Sequence, residues 1–288
     1  MSVTGAVPEV VLTVVAGATV FTLMLTIGLG IVLREFRSGW GNPGLVARGL
    51  FSVLVAVPVA AVLVARGLAL PRLAEIGIVL MAISPGAPVA LHRSLEAGGH
   101  RSFAPALQIL VAVLAVASMP LSVAVLNGLY AGQASISAAH VASQVLTAQL
   151  LPLGLGLLIR RTAPNLADFV EPWLGRLGGG LLIGLTVLAL IDVGPIVVEA
   201  GLRIALAIAI VTALALLVGH TVGGPEPGTR TAVAISSAAR NPGLALLVAT
   251  LNRAPPQVGA TVLVYLVVAA ATVLPYAIWR YWLASGRK

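Results

Sequence analysis

Cysteine is absent from the chain, and charge is scarce: only 9% of the 288 residues are Asp, Glu, Lys or Arg. The first absence excludes disulfides, thiolate metal centres and cysteine nucleophiles. The second excludes an ordinary soluble domain, in which about a quarter of residues are charged. Acids are the scarcer sign, nine against 17 basic residues, which leaves a formal net charge of +8. The basic residues form no cluster and sit between apolar runs, a pattern of membrane topology rather than of nucleic-acid binding. The first ten residues, MSVTGAVPEV, hold no Lys or Arg, so they lack the n-region of a signal peptide and the first apolar run is expected to be retained. No stretch between apolar runs is long enough for an appended soluble domain.

What remains is apolar. Hydrophobic residues make up 59% of the chain and the mean hydropathy is +1.07. The runs are about 20 residues or longer, the length at which a helix crosses roughly 30 Å of hydrocarbon, and they lack the period-two alternation of a membrane β-barrel. The expected fold is an all-α polytopic membrane protein forming a single transmembrane domain over 1–288. Nine spans are expected, at 10–33, 44–65, 73–95, 103–126, 138–159, 177–198, 202–221, 230–251 and 257–282.

With the N-terminus outside, the inner loops receive Arg34, Arg37, Arg48, Arg93, Arg101, Arg160, Arg161, Arg176, Arg230, Arg280, Arg287 and Lys288. The outer loops receive Arg66, Arg72, Arg203 and Arg253. That bias predicts an N-out, C-in protein of the cytoplasmic (inner) membrane. Arg240 belongs to neither side.

Two spans carry a Pro-Gly pair near their centres: LMAISPGAPVAL in the third (Leu80 to Leu91) and SSAARNPGLALL in the eighth (Ser236 to Leu247). A mid-helix proline removes a backbone hydrogen bond and clashes with the preceding turn, and glycine frees the chain from helical angles. Each pair alone reads equally as a kink. Together they occupy the third helix of two four-helix units, spans one to four at 10–126 and spans six to nine at 177–282. The fifth span lies between, so corresponding helices run in opposite directions. This is the arrangement of an inverted-repeat transporter whose interrupted helices mark the binding site. Pro85 and Pro242 each suit the first position of a new half-helix, with the amides of Gly86, Ala87, Gly243 and Leu244 turned toward the breaks, where they attract anions.

The Pro85-Gly86 break, the Asn241-x-Gly243-Leu244-Ala245 run and the order of spans resemble the bile acid:sodium symporter family in its nine-span form. The stretch FTLMLTIGLGIVLREF, Phe21 to Phe36, is similar to that family's first common helix. The resemblance implies two crossed discontinuous helices within a core of spans two to four and seven to nine, beside a panel of spans one, five and six. It also implies sodium held by a glutamate and a glutamine-asparagine pair in the eighth span and by polar residues after the first break. At those positions this chain has Ser236, Arg240 with Asn241, Ala90 and Leu91. In the fourth-span stretch ALQILVAVLAVASMPL only Gln108 and Ser118 supply polar groups. A hard cation needs several oxygen ligands, so the substitutions predict that sodium does not occupy the family's sites, and no other metal or cofactor is expected.

Arginine at a helix centre costs roughly 3 kcal/mol on insertion scales and is therefore paired, hydrated or functional. Arg240 either caps the carbonyls of the first half-helix or holds a fixed positive charge where sodium would sit, where it can grip a carboxylate with two parallel bonds. Asn241 serves the free backbone or a ligand, and Ser84, Ser236 and Ser237 line a cavity or bond their own helix. His92 and Glu96 read as a solvated mouth, Gln108 and Gln149 as interhelical ties, and Asp192 as an outer-loop residue. The reading is a secondary transporter moving an organic anion by alternating access, its partners being that small molecule and the lipid bilayer, with no nucleic acid and no protein partner implied. The alternatives are a sodium-coupled organic anion symporter, arsenite extrusion, and a membrane receptor or sensor module. An enzyme is not expected, because no triad, metal cluster or carboxylate pair falls within the spans.

Overall fold

The computed structural model describes residues 9–31, 40–129, 137–200 and 202–286. Arg34, Arg37, Arg287, Lys288 and the end of the Phe21–Phe36 stretch lie outside the described residues. So do the side chains of residues 189–200, among them Asp192.

All regular elements among the described residues are helices. The first span is α1 (Glu9–Gly30) and the second α2 (Pro43–Gly67). The third span is split into α3 (Arg72–Ala82) and α4 (Pro88–Glu96). The fourth to seventh are α5 (Phe103–Leu129), α6 (Ala138–Thr162), α7 (Pro164–Ala200) and α8 (Leu202–Val222). The eighth is split into α9 (Pro227–Ala238) and α10 (Pro242–Leu251), and the ninth is α11 (Pro256–Ser285). The sixth span is longer than its apolar run: α7 has 37 residues, about 55 Å at 1.5 Å per residue. That exceeds roughly 30 Å of hydrocarbon, and the charged residues Asp168, Glu171 and Arg176 fall in its first turns, PNLADFVEPWLGR.

Prolines start many of these helices because the first position needs no N–H and suits φ near −65°. At α2 and α10 an asparagine adds the cap: Asn42 Oδ1 accepts from the Leu45 amide and Asn241 Oδ1 from the Leu244 amide, both at 3.0 Å. The first break corrects the expectation for Pro85. The second half-helix begins at Pro88, three residues later, so Pro85, Gly86 and Ala87 form the connector instead of a helix N-terminus. The reason is local: a proline pushes its predecessor out of the helical region, and Ala87 has φ −53° and ψ 122°. A helix begun at Pro85 would have had to pass through Ala87.

Packing gathers the helices unevenly. α1 lies chiefly against α6 and α7. It crosses α6 where Gly28 and Gly156 meet, and a Cβ on either would strike the other helix's backbone. Elsewhere α8 meets α9 at Gly219, whose Cβ would lie 2.5 Å from Ala234 Cα, and α3 meets α11 at Gly77 against Thr261. The largest apolar core joins α3, α8, α10 and α11 through residues such as Ile78, Leu80, Ile208, Leu244 and Val262. At the loop between α2 and α3 the buried Glu75 receives Arg66 and Arg72 at 3.2 and 3.3 Å. The eighth span runs through the middle: 89% of its apolar window is buried, against 28% of the fifth span's. Its break is therefore enclosed by protein, where non-helical backbone is tolerated at membrane depth.

Candidate functional site

The two breaks touch. The Asn241 amide donates to the Ser84 carbonyl at 3.0 Å, so an open carbonyl after α3 is satisfied by an open amide before α10. Around this bond the breaks are closed in different ways.

At the first break neighbouring helices supply the polar groups. Gln108 of α5 donates from Nε2 to the Ala87 carbonyl at 3.1 Å. Gln149 of α6 donates to the Ala112 carbonyl at 3.4 Å, and its Nε2 would lie 2.9 Å from a Cβ placed on Gly86. Gly86 has φ +78°, a conformation other residues adopt at a cost of about 1–2 kcal/mol. Ser84 Oγ turns back to the Leu80 carbonyl at 2.7 Å.

At the second break the chain carries its own polar groups, and α2 receives them. Arg240 Nη1 donates to the Val53 carbonyl at 2.9 Å. That carbonyl is open because α2 makes a π-helical turn over Ser52–Ala56: the Val57 amide reaches back to Ser52 O and bypasses Val53. Pro58 follows and has no N–H for the next carbonyl. One position away Ser52 Oγ and Ser237 Oγ are 2.8 Å apart, a second tie between α2 and the segment before the break. Arg240 and Asn241 are 4% and 1% exposed. Even so, Arg240 Nε and Nη2 and Asn241 Nδ2 find no acceptor among the described residues. In hydrocarbon such donors are expensive, and at the second break the chain itself leaves three of them unsatisfied among the described residues.

A cavity of about 490 Å³ adjoins these groups. Ala87, Arg240, Asn241, Pro242 and Gly243 line it at the breaks. Ser84, Pro85, Gly86, Ser236, Ser237, Ala90 and Leu91 are not on its wall; Ser84 and Ser237 are fully buried and bonded as described. The remaining wall comes from α1, α3, α4, α7, α9 and α11, with Val20, Leu23, Met81, Leu182, Leu266 and Leu274 among its apolar side chains. Sequence reasoning missed the α1, α7 and α11 residues because apolar side chains on apolar helices carry no signal. Thr19 and Thr186 also line it, with hydroxyls returned to Val15 O and Leu182 O. Arg93 lies at the other end, and the lining contains no Asp or Glu. His92 and Glu96 form an exposed pair at 3.1 Å beyond it. Among the described residues no three His, Cys, Asp or Glu side chains converge on a metal position.

α1 also touches the second break directly. A Cβ on Gly243 would collide with Val20 Cγ2 and lie 3.0 Å from the Ala16 carbonyl. On the far side of the breaks from Arg93, Asn252 Nδ2 at the end of α10 donates to Gln144 Oε1 of α6 at 3.3 Å.

Two comparisons with known proteins agree with this architecture. A family model described as Sodium Bile acid symporter family matches residues 18–200, more than half of the chain. The Probable sodium/metabolite cotransporter BASS3, chloroplastic, of Oryza sativa subsp. japonica is 26% identical over 151 residues, which cover 52% of this chain and 35% of that protein. The chain thus matches about a third of that relative's length.

Proposed function

The chain belongs to the sodium bile acid symporter family, and from that premise we propose that it is a secondary transporter that carries an organic anion across the cytoplasmic membrane by alternating access. Arg240 serves in place of a dissociable sodium ion. The observation that carries this reading is the second break: a buried guanidinium with two unmatched N–H groups, beside an unmatched amide, on a cavity whose lining has no carboxylate. A guanidinium keeps its proton at any accessible pH, so the site remains cationic without a coupling ion. An acid group placed against Arg240 and Asn241 would satisfy the orphaned donors, and the apolar walls would accept its body.

The cavity lies between two sets of helices, which is where a moving boundary belongs. α1, α6 and α7 form the panel, tied at the Gly28–Gly156 crossing; α2 to α5 and α8 to α11 form the core, two inverted units around the breaks. With N-out, C-in orientation, the cavity extends from the breaks toward the inner end, past Arg93 and Ala277. The Gln144–Asn252 bond then closes the outer side.

The relative's description as a sodium/metabolite cotransporter favours a second reading, a sodium-coupled symporter whose cation is held by backbone carbonyls. Thermal stabilisation by a panel of organic acids selects a substrate, and counterflow of that labelled acid in proteoliposomes separates the readings. The first predicts unchanged flux when choline replaces sodium and loss of both stabilisation and flux in Arg240→Gln. Flux that disappears with sodium establishes the second.

A further inference from the structure

A second group of unmatched cations lies away from the cavity, where the ends of α8 and α11 meet the start of α9. Arg280 is only 7% exposed. Its guanidinium has neutral partners: Nε donates to Thr231 Oγ1 and Nη2 to the Pro227 carbonyl, both at 2.8 Å, and it lies 5.4 Å from the centre of the Trp279 ring. Arg230, half-buried, donates Nε to the Gly224 carbonyl at 2.6 Å. Both arginines act electrostatically on His220 and Tyr276, which bond each other through Nδ1 and the phenol oxygen at 2.8 Å. Glu226 is the acid on this stretch of chain, and its carboxylate pairs with His100 at 3.7 Å. Neither Arg230 nor Arg280 has a carboxylate partner among the described residues.

This position is at a membrane surface. Each of the three helices is at its end there, and Trp279, Tyr281 and Trp282 are 49%, 53% and 68% exposed, as an aromatic belt at the headgroup level requires. A belt alone calls for no specific lipid. Two guanidiniums without acids, one of them buried, do call for an anion, because neutral oxygens leave the net charge uncompensated in a medium of low dielectric. We propose that His220, Arg230, Tyr276 and Arg280 form a binding site for the phosphate of an anionic phospholipid. Arg230 and Arg280 hold the phosphate oxygens, the His220–Tyr276 pair supplies a further polar edge, and Trp279 packs on the glycerol and first methylenes. The occupant is a membrane lipid rather than a free anion because Trp279, Trp282 and Ile278 present an exposed apolar rim beside the charges.

The test is thermal unfolding of the full chain in mixed micelles containing phosphatidylglycerol, phosphatidylcholine, or phosphatidylcholine with inorganic phosphate. A ligand that binds only the folded state raises the midpoint. Phosphatidylglycerol is expected to raise Tm by several degrees over phosphatidylcholine, and inorganic phosphate to have no effect. Arg230→Gln should remove most of that rise; Arg48→Gln, an exposed arginine at the same end of the bundle, should keep it. Equal shifts for the two lipids, or a full shift in Arg230→Gln, would overturn the proposal, and a phosphate shift as large as the lipid's would replace it with a soluble-anion site. Arg230 is used because Arg280→Gln removes two hydrogen bonds and risks the fold itself.

Discussion

The two helix breaks solve one problem with opposite means. The first, Ser84 to Ala87, is neutral: Gln108 of α5 bonds its Ala87 carbonyl, and Gln149 of α6 sits beside Gly86 while bonding the Ala112 carbonyl of α5. The second is closed from within: Asn241 caps its own half-helix, and Arg240 reaches α2. At the first break the Ser84 and Ala87 carbonyls are bonded; the second leaves charged and amide N–H groups without acceptors among the described residues. Pro-Gly thus makes the opening in both spans, but only the residues before Pro242 leave N–H donors at the opening without acceptors among the described residues. A symmetric pair of breaks would have left the polarity of the ligand undecided.

The largest expected effect comes from removing that asymmetry. Arg240→Met deletes a charge-assisted contact worth about 1.5–3 kcal/mol, so the affinity for the organic acid read from its stabilisation should weaken roughly 10- to 100-fold. The folded protein itself should hold its Tm, since a buried unpaired charge is replaced by an apolar side chain of similar length. If Tm and ligand stabilisation fell together, Arg240 would be a cap and nothing more. The comparison sharpens in the double substitution Ser236→Glu with Arg240→Gln, which restores the glutamate and glutamine of the related family's pattern. Sodium should then raise the midpoint of the double variant and leave wild type unmoved.

Gly86→Ala tests the first break. It forces a Cβ into φ +78° and toward Gln149 Nε2, a combined destabilisation of about 2 kcal/mol. Adding Gln149→Ala should recover the steric share, so the two costs should not sum in denaturation experiments. Asn241→Asp is smaller again. The carboxylate keeps the cap to the Leu244 amide, so stability should stay within about 1 kcal/mol of wild type, yet the Nδ2 donor is lost and a repelling charge appears. Acid-dependent stabilisation should drop while Asn241→Ser, which also caps, drops it less; equal behaviour of the two would remove Asn241 from the ligand.

How much of this was legible in the sequence follows from the chemistry of each part. Seven helices among the described residues are long and apolar enough to cross a membrane, and they are legible in the sequence because hydrocarbon thickness fixes the length of an apolar run. The breaks are legible because proline and glycine are unambiguous about the backbone. Which proline starts the new helix is less so: Pro85 and Pro88 both qualify, and only the restriction of Pro88 on Ala87 decides between them. The walls supplied by α1, α7 and α11 are invisible, since Leu182 or Leu266 facing a cavity reads like the same residue facing lipid. The partner of Arg240 is invisible for another reason. Val53 is an unremarkable residue in an apolar run, and its carbonyl is exposed by a change of helical pitch that side chains do not spell out.

That change of pitch occurs twice, which permits the finest comparison. In α6 the turn Leu146–Leu150 is also π-helical, the Leu151 amide reaches back to Leu146 O, and Pro152 follows, just as Val57 reaches Ser52 O ahead of Pro58 in α2. The bypassed carbonyl in α2 takes Arg240; its counterpart in α6, on Thr147, takes no arginine among the described residues. Replacing either proline by alanine supplies the missing N–H and favours an ordinary α-turn, a gain of about 1 kcal/mol or more in helix stability. In Pro58→Ala the Val57 amide competes for Val53 O and releases Arg240 Nη1, so the guanidinium loses its fixed orientation and acid-dependent stabilisation should fall a few-fold although Tm holds or rises. In Pro152→Ala the same local relaxation should leave the response to the acid unchanged. If both prolines behave alike, the π turn of α2 is ordinary proline accommodation, and the placement of Arg240 must be assigned to the break alone.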